Sequence, residues 1–198
     1  MDRTLDGWLH GLLTQGWAAG PDFLPPDTCR GLREQALTLS RAGRMRAAAI
    51  GHGARRQARP AIRGDFTHWL EPPHSAAEQA YLTRMEALRQ TCNRRLFLGL
   101  DALEAHYALY PSGAAYARHS DNFHGQGARL LSCVLYLNDA WQAGDGGQLR
   151  LYLPAGGQVD VMPASGTLAC FLSAEFEHEV LPATRPRLSL TGWFRRRE

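Results

Sequence analysis

At 198 residues, with 44% hydrophobic and 21% charged side chains, the chain has the length and composition of one globular domain with a continuous core. Its formal net charge of +3 is too small to imply nucleic acid. All 22 basic residues are arginine, which excludes Schiff-base lysine chemistry and a phosphate-loop lysine. Any fixed cation that holds a carboxylate must then be arginine, whose planar fork can engage both oxygens.

Asp2, Arg3, Asp6 and His10 interrupt any signal-peptide core, and no apolar run reaches membrane-spanning length, so no membrane association is expected. Cys29, Cys92, Cys133 and Cys170 are widely spaced and form no Cys-x-x-Cys pair. Three of them sit in apolar stretches, which predicts buried free thiols and a cytoplasmic setting.

Residues 4–15 place Leu5, Trp8, Leu9, Leu12 and Leu13 at helical spacing, and Gly16, Gly20 and Pro21 break that pattern. Residues 26–42 predict a second helix, with Asp27 near its start, Leu32, Ala36, Leu37 and Leu39 as its apolar stripe, and Gly43 after its end. Residues 44–50 read as a strand. Residues 51–64 follow neither period and predict a long loop. Seven arginines and no acidic residue lie between Arg41 and Arg63, consistent with a solvated basic connector or with docking of an acidic or polar macromolecule. Asp65 to Leu70 alternates like a strand. Ser75-Ala-Ala-Glu78 is a capping box that opens a third helix to about Arg95, with Tyr81, Leu82, Met85 and Leu88 inward.

After residue 96 the texture changes to short apolar or alternating runs separated by turn signals: 104–110, 115–119, 129–137, 147–153, 158–161, 166–172, 178–181 and 187–195. Gly144-Asp-Gly-Gly147 and Pro154-Ala-Gly-Gly157 are turn sequences around one of them. The expected fold is α+β: a double-stranded β-helix (jelly roll, cupin-like) over roughly 96–198, covered by helical support over roughly 1–95, in a single domain 1–198.

The chemistry concentrates in three pieces. In Tyr116-Ala-Arg-His119-Ser-Asp121-Asn122, His119 and Asp121 are two residues apart and share one face of an extended strand. Far downstream, Phe176-Glu-His178-Glu-Val-Leu-Pro182 offers a second histidine, with Glu177 and Glu179 on the opposite face. Two histidines and a carboxylate on one side of a metal form the facial arrangement of non-haem iron(II) oxygenases. Asp145 is an alternative carboxylate, although its glycine neighbours suit a turn. Nine residues after His178, Arg187 begins a strand on which Ser189, Thr191 and Trp193 share its face. Ser132, Val134 and Tyr136 likewise share a face. If these faces look inward, a keto dicarboxylate could chelate the metal at one end and pair with Arg187 at the other, helped by Tyr136 or Tyr110. The competing reading puts Arg187 on an exposed edge strand. His124 follows the ligand pair in a glycine-flanked loop, and His106 reads as structural.

These residues, with Tyr110-Pro-Ser-Gly, Tyr136-Leu-Asn138, Gly146-Gly-Gln-Leu149 and the run Arg187 to Trp193, resemble the iron(II)- and 2-oxoglutarate-dependent prolyl 4-hydroxylases. The branch is that of the hypoxia-factor prolyl hydroxylases and their bacterial homologues. Ile62-Arg63-Gly64-Asp65 with Trp69 is similar to that branch's substrate loop and the strand after it, so the resemblance covers about residues 45–195. It implies Fe(II) on His119, Asp121 and His178. It implies 2-oxoglutarate held by Arg187, with Tyr110, Tyr136, Thr191 and Trp193 lining the pocket, and O2 as the other co-substrate, with L-ascorbate as an auxiliary reductant. Substrate contacts would fall to Arg63, Asp65, Trp69 and Arg129, with Asp65 paired to Arg129 at the base of a mobile lid over 51–69. The collagen-type branch uses a lysine where Arg187 stands, and this chain has none. A one-residue insertion between Asp121 and Arg129 and the loop tip at 51–61 depart from the pattern. The implied activity is hydroxylation of a prolyl residue in a protein, with elongation factor Tu the best single candidate. The alternatives are an oxygenase acting on another protein residue or a small molecule, and a cupin-like module that retains metal without turnover.

Overall fold

The computed structural model of the chain describes residues 5–48, 62–122 and 127–197. Helix α1 spans Asp6–Gln15 and buries Trp8, Leu9 and Leu12, and it ends on Gly16 in the left-handed conformation. Leu13, expected in the buried stripe, is 70% exposed. Helix α2 (Pro26–Arg41) starts with Pro at its first turn, where a missing N–H costs nothing, and buries Cys29, Leu32, Ala36 and Leu39. Helix α3 (Ala76–Leu96) opens on the full capping box, with Ser75 Oγ accepting from Glu78 N and Glu78 Oε2 accepting from Ser75 N. Such a cap stabilises a helix by about 1 kcal/mol. Tyr81, Met85, Leu88 and Cys92 form the inward stripe of α3. Among the described residues no helix is long and apolar enough to cross a membrane.

The strands form two antiparallel sheets. Strands β1 (Trp17–Gly20), β2 (Arg46–Ala47), β3 (Phe66–Trp69), β4 (Leu100–Tyr110), β6 (Arg129–Tyr136), β9 (Leu168–Leu172) and β11 (Arg187–Arg196) make a seven-stranded sheet in the order β1-β9-β6-β11-β4-β3-β2. Strands β5 (Tyr116–His119), β7 (Leu149–Tyr152), β8 (Gln158–Val161) and β10 (Glu177–Val180) make the other, in the order β5-β10-β7-β8. Each of the eight runs expected after residue 96 is a strand, and β4 starts at Leu100, earlier than expected. The N-terminal part contributes strands as well as helices. β1 pairs with β9, and β3 pairs with β4 and β2, so this part supplies strands at both edges of the larger sheet. The sequence predicts only a helix break at Gly16, Gly20 and Pro21, yet Trp17 to Gly20 pair with the edge of β9. The strand expected over 44–50 is the pair Arg46–Ala47 within the described residues, and residues 51–61 of the loop expected over 51–64 and of the lid expected over 51–69 lie outside them.

Period-2 alternation splits the larger sheet's side chains between two cores. Tyr107, Leu131, Cys133, Leu135, Leu168, Cys170, Leu188 and Leu190 pack with the helices. Ala108, Tyr110, Val134, Tyr136, Ala169 and Phe171 pack between the sheets with Leu149, Leu151, Phe176 and Val180. In β11, Gly192 lets the helix core close: a Cβ there would meet the Tyr81 hydroxyl and Leu103 Cδ1 at 3.1 Å. All four cysteines are free and buried.

Candidate active site

The site lies between the sheets. Register places His178 of β10 directly opposite His119 of β5. Strand β5 ends at His119, so Asp121 is presented from the bend after the strand and not from the strand itself. That bend is pinned by side chains. The Asn122 carboxamide donates to Gly127 O at 3.1 Å and Arg129 O at 2.8 Å and accepts from Gly127 N at 2.7 Å. Ser120 Oγ reaches Ser173 O at 3.2 Å. The result brings one ligand atom each from His119, Asp121 and His178 within 4.8 Å of one another. His119 Nε2 is 3.8 Å from Asp121 Oδ1, and His178 Nε2 is 3.6 Å from Oδ2. His124 lies outside the described residues.

The surroundings prepare these groups to bind a cation. His119 Nδ1 lies 2.8 Å from Ala117 O, which fixes the N–H on Nδ1 and leaves Nε2 as a lone-pair donor. Tyr116 stacks on the His119 ring at 3.6 Å, and His178 sits between His119 and Phe171, at 4.2 and 4.7 Å. Burial, reinforced by His178, pushes His119 down to about 3, so its ring is uncharged. Burial acts upward on Asp121, but His178 and His119 outweigh it, with help from Trp193 and Ser132, and hold the carboxyl down to about 2. Two imidazoles and one carboxylate suit a divalent metal that accepts nitrogen and oxygen ligands and keeps open positions. Glu177 and Glu179 face the other way, engaging Arg118 and the Tyr152 hydroxyl. Asp145 caps a short 3-10 turn through Gln142 N at 2.8 Å.

Arg187 is 1% exposed, which rules out the edge-strand reading. Its Nε donates to Gly147 O at 2.8 Å, while its Nη2 is buried without a partner. The rings of Tyr136 and Tyr110 flank its guanidinium at 5.0 and 5.2 Å. The Tyr136 hydroxyl is also buried and unpartnered, and burial pushes its pKa up to about 12, so it keeps its proton and remains a donor. A buried guanidinium nitrogen and a buried phenol without acceptors are costly unless a ligand meets them. A carboxylate fits both. Gly147, at φ +70°, makes the room: a Cβ there would sit 3.2 Å from Arg187 Cδ. Thr191 is half-buried and shares a face with Ser189, their hydroxyls 3.4 Å apart.

At the mouth one expected pairing is overturned. Asp65 is paired by Arg63, at 2.7 and 3.1 Å, and not by Arg129. Arg129 instead donates to Glu104 Oε1 at 2.6 Å and lies over the Trp193 ring at 3.6 Å. Glu104 is opposite Trp193 on β4, so it reaches Arg129 across one strand, while Arg63 is two residues from Asp65. Trp69 is 38% exposed beside this group. Sequence reading missed several supports. Ser132 donates to Asp121 Oδ2 at 2.7 Å and contacts Ser173 Oγ at 2.9 Å. Its place on the Tyr136 face was legible, but its partner was not. Glu104, Ala117 and Ser173 carried no sequence signal.

Comparison with known proteins agrees with this geometry. The family model described as 2OG-Fe(II) oxygenase superfamily matches residues 105–195. Human Egl nine homolog 1 is 36% identical over 141 residues, covering 67% of this chain, which spans about a third (33%) of that relative's length. The crystal structure of a Pseudomonas putida prolyl-4-hydroxylase is 46% identical, covers 98% of this chain and 100% of its own, and superposes with a TM-score of 0.90. A Trichoplax adhaerens prolyl hydroxylase, in complex with a hypoxia inducible factor oxygen degradation domain peptide, is 30% identical over 98% of this chain and 89% of its own, with a TM-score of 0.88. The chain belongs to the 2-oxoglutarate- and iron(II)-dependent oxygenases, in the prolyl hydroxylase family that contains these proteins.

Proposed function

We propose that this protein hydroxylates a prolyl residue of a protein at C4 in the trans configuration, consuming 2-oxoglutarate and O2 and releasing succinate and CO2. The carrying observation is the pairing of the His119, Asp121 and His178 cluster with a buried, unsatisfied Arg187 between the same two sheets. Similarity over the full length of the Pseudomonas putida prolyl-4-hydroxylase supports it.

The donor set fits Fe(II), and His119, Asp121 and His178 would hold it. Iron bound there would supply the oxygen activation that couples loss of CO2 from 2-oxoglutarate to oxidation of a C–H bond. The chain's own residues do the rest. Arg187 Nη2 and the Tyr136 hydroxyl take the far carboxylate of 2-oxoglutarate, with Tyr110 packed against the guanidinium. Arg187 Nε stays on Gly147 O, so the fork is aimed before the ligand arrives. Uncharged His119 keeps its Nε2 available without losing a proton. Thr191 and Trp193 close the inner wall, and the surrounding side chains exclude water from the oxidant. Arg63, Asp65, Trp69 and Arg129 sit at the mouth, where a polypeptide would enter, with Trp69 the exposed ring.

Elongation factor Tu is the candidate substrate, by family resemblance. The cytoplasm is the matching compartment, consistent with four free buried thiols. L-ascorbate would serve as auxiliary reductant. The experiment compares cell extract incubated with wild-type protein and with His119→Ala, using Fe(II), ascorbate and 2-oxoglutarate. The expected result is a +16 mass shift on one proline, in elongation factor Tu, together with succinate. Oxidation of a different residue or of a small molecule would support another oxygenase substrate. Absence of succinate under all conditions would leave only metal binding without turnover.

A further inference from the structure

His106 is a buried titratable side chain with no task in the reaction described so far. It lies on β4, opposite Thr191 of β11 and Trp69 of β3, and is 2% exposed. Its ring packs against Trp69 at 4.8 Å and Trp193 at 5.2 Å, and Arg129 covers Trp193. A histidine chosen for packing alone usually has its ring N–H on a carbonyl or carboxylate. Here Nδ1 is buried without a partner, and so is Nε1 of Trp193. Burial, then Arg63 and Arg129, push the ring down to about 3 against the pull of Asp121, so it is uncharged and offers both a donor and an acceptor.

The unpartnered buried side-chain atoms on the strands around the site therefore fall at two places. Arg187 Nη2 and the Tyr136 hydroxyl wait for the far carboxylate of 2-oxoglutarate. His106 Nδ1 and Trp193 Nε1 mark the second, on rings 5.2 Å apart, and the Asp121 carboxylate acts electrostatically on His106. We propose that His106 is a positioning residue of this site, hydrogen-bonding through Nδ1 an oxygen atom that is held beside Trp193 once 2-oxoglutarate is bound. The oxygen belongs either to 2-oxoglutarate itself or to a water fixed by it. The inference rests on the oxygenase reading above.

Phenylalanine at 106 keeps a flat ring between Trp69 and Trp193 and removes both nitrogens. Replacing an unpartnered buried polar group by an apolar one of similar shape is neutral or stabilising for the fold. A packing role alone thus predicts that His106→Phe melts at or above the wild-type temperature with unchanged function. The positioning role predicts the same melting behaviour with a function lost. Zn(II)-loaded protein is titrated with 2-oxoglutarate, and Fe(II)-loaded protein is assayed for succinate. At least a tenfold rise in the 2-oxoglutarate Kd assigns the oxygen to the co-substrate. An unchanged Kd with at least a tenfold fall in kcat assigns it to a water. His106→Asn, which retains a donor and an acceptor, is expected to recover part of the loss.

A third readout does not depend on turnover. In Zn(II)-loaded protein labelled with 15N-histidine, the His106 ring nitrogens are expected to shift when 2-oxoglutarate is added. His106 signals that stay put while those of His178 move, or a His106→Phe protein with Kd and kcat within twofold of wild type, overturn the proposal. If wild-type protein makes no succinate, the oxygenase reading fails, and the Zn(II) titration and ring shifts still decide whether His106 senses the ligand.

Discussion

The hydroxyl of Ser132 donates to Oδ2 of Asp121 at 2.7 Å, the same oxygen that His178 Nε2 approaches at 3.6 Å. Asp121 hangs from a bend rather than a strand, so its orientation is borrowed: Ser132 fixes the carboxylate, and Ser173 in turn contacts the Ser132 hydroxyl. Removing a hydrogen-bonding support of a metal ligand typically costs 10–100-fold in metal affinity. Ser132→Ala is therefore expected to weaken Fe(II) or Co(II) binding by about 10–100-fold, with the melting temperature of the metal-free protein little changed. Titration of metal into both proteins measures this, and equal affinities would mean that the bend alone orients Asp121.

Arg187→Ala removes the buried cation proposed to meet the co-substrate. Breaking a buried charge pair is worth about 3–5 kcal/mol, so the 2-oxoglutarate Kd is expected to rise by roughly 100-fold or more. Gly147→Ala tests the same pocket without touching a charge, because the new Cβ would press on Arg187 Cδ, Ala183 and Trp141 from a left-handed backbone. It should weaken 2-oxoglutarate binding while leaving metal affinity intact. A change below about threefold for Arg187→Ala would remove this residue from the co-substrate site.

Arg63 and Asp65 make a different kind of pair. The Asp65 side chain has no exposure and the Arg63 side chain only 17%, and the two share a bidentate contact. Arg63→Met strands a buried carboxylate and should destabilise the fold by about 3–5 kcal/mol, while Arg63→Met with Asp65→Asn should lose much less. Urea unfolding of the two variants reads the difference directly. Equal losses would show that packing of the arginine stem, not charge, is what matters.

His106 and His119 are both held far below the ordinary histidine value of 6.5, at about 3, chiefly by burial. Between pH 3 and 6.5 the unfolded chain therefore binds more protons at these two positions than the folded one. Their contribution to stability is complete above pH 6.5 and is lost as pH falls through that window. Each ring contributes a slope of up to about 1.4 kcal/mol per pH unit. Metal-free protein should lose stability from pH 7 to pH 5, and His106→Phe should lose less over the same interval. Denaturant unfolding at the two pH values checks both statements. A wild-type stability that is flat over this range would contradict them.

The alternating and helical periods in the sequence were enough to place the three helices and the eight strands after residue 96, because each element needs one apolar face of the right period. The i, i+2 spacing of His119 and Asp121, the remote His178 and the absence of lysine singled out the residues now found together. Three matters were settled only in three dimensions. Asp121 leaves the strand, because Asn122 and Ser120 find carbonyls that bend the chain there. Asp65 pairs with Arg63 because Glu104, across a strand, has already claimed Arg129. Trp17 to Gly20 become an edge strand because β9 presents an open row of backbone groups beside them. Each depends on at least one partner distant in sequence, Ser173 for Ser120, Glu104 for Arg129 and β9 for Trp17 to Gly20, and no local pattern encodes which distant group comes within reach.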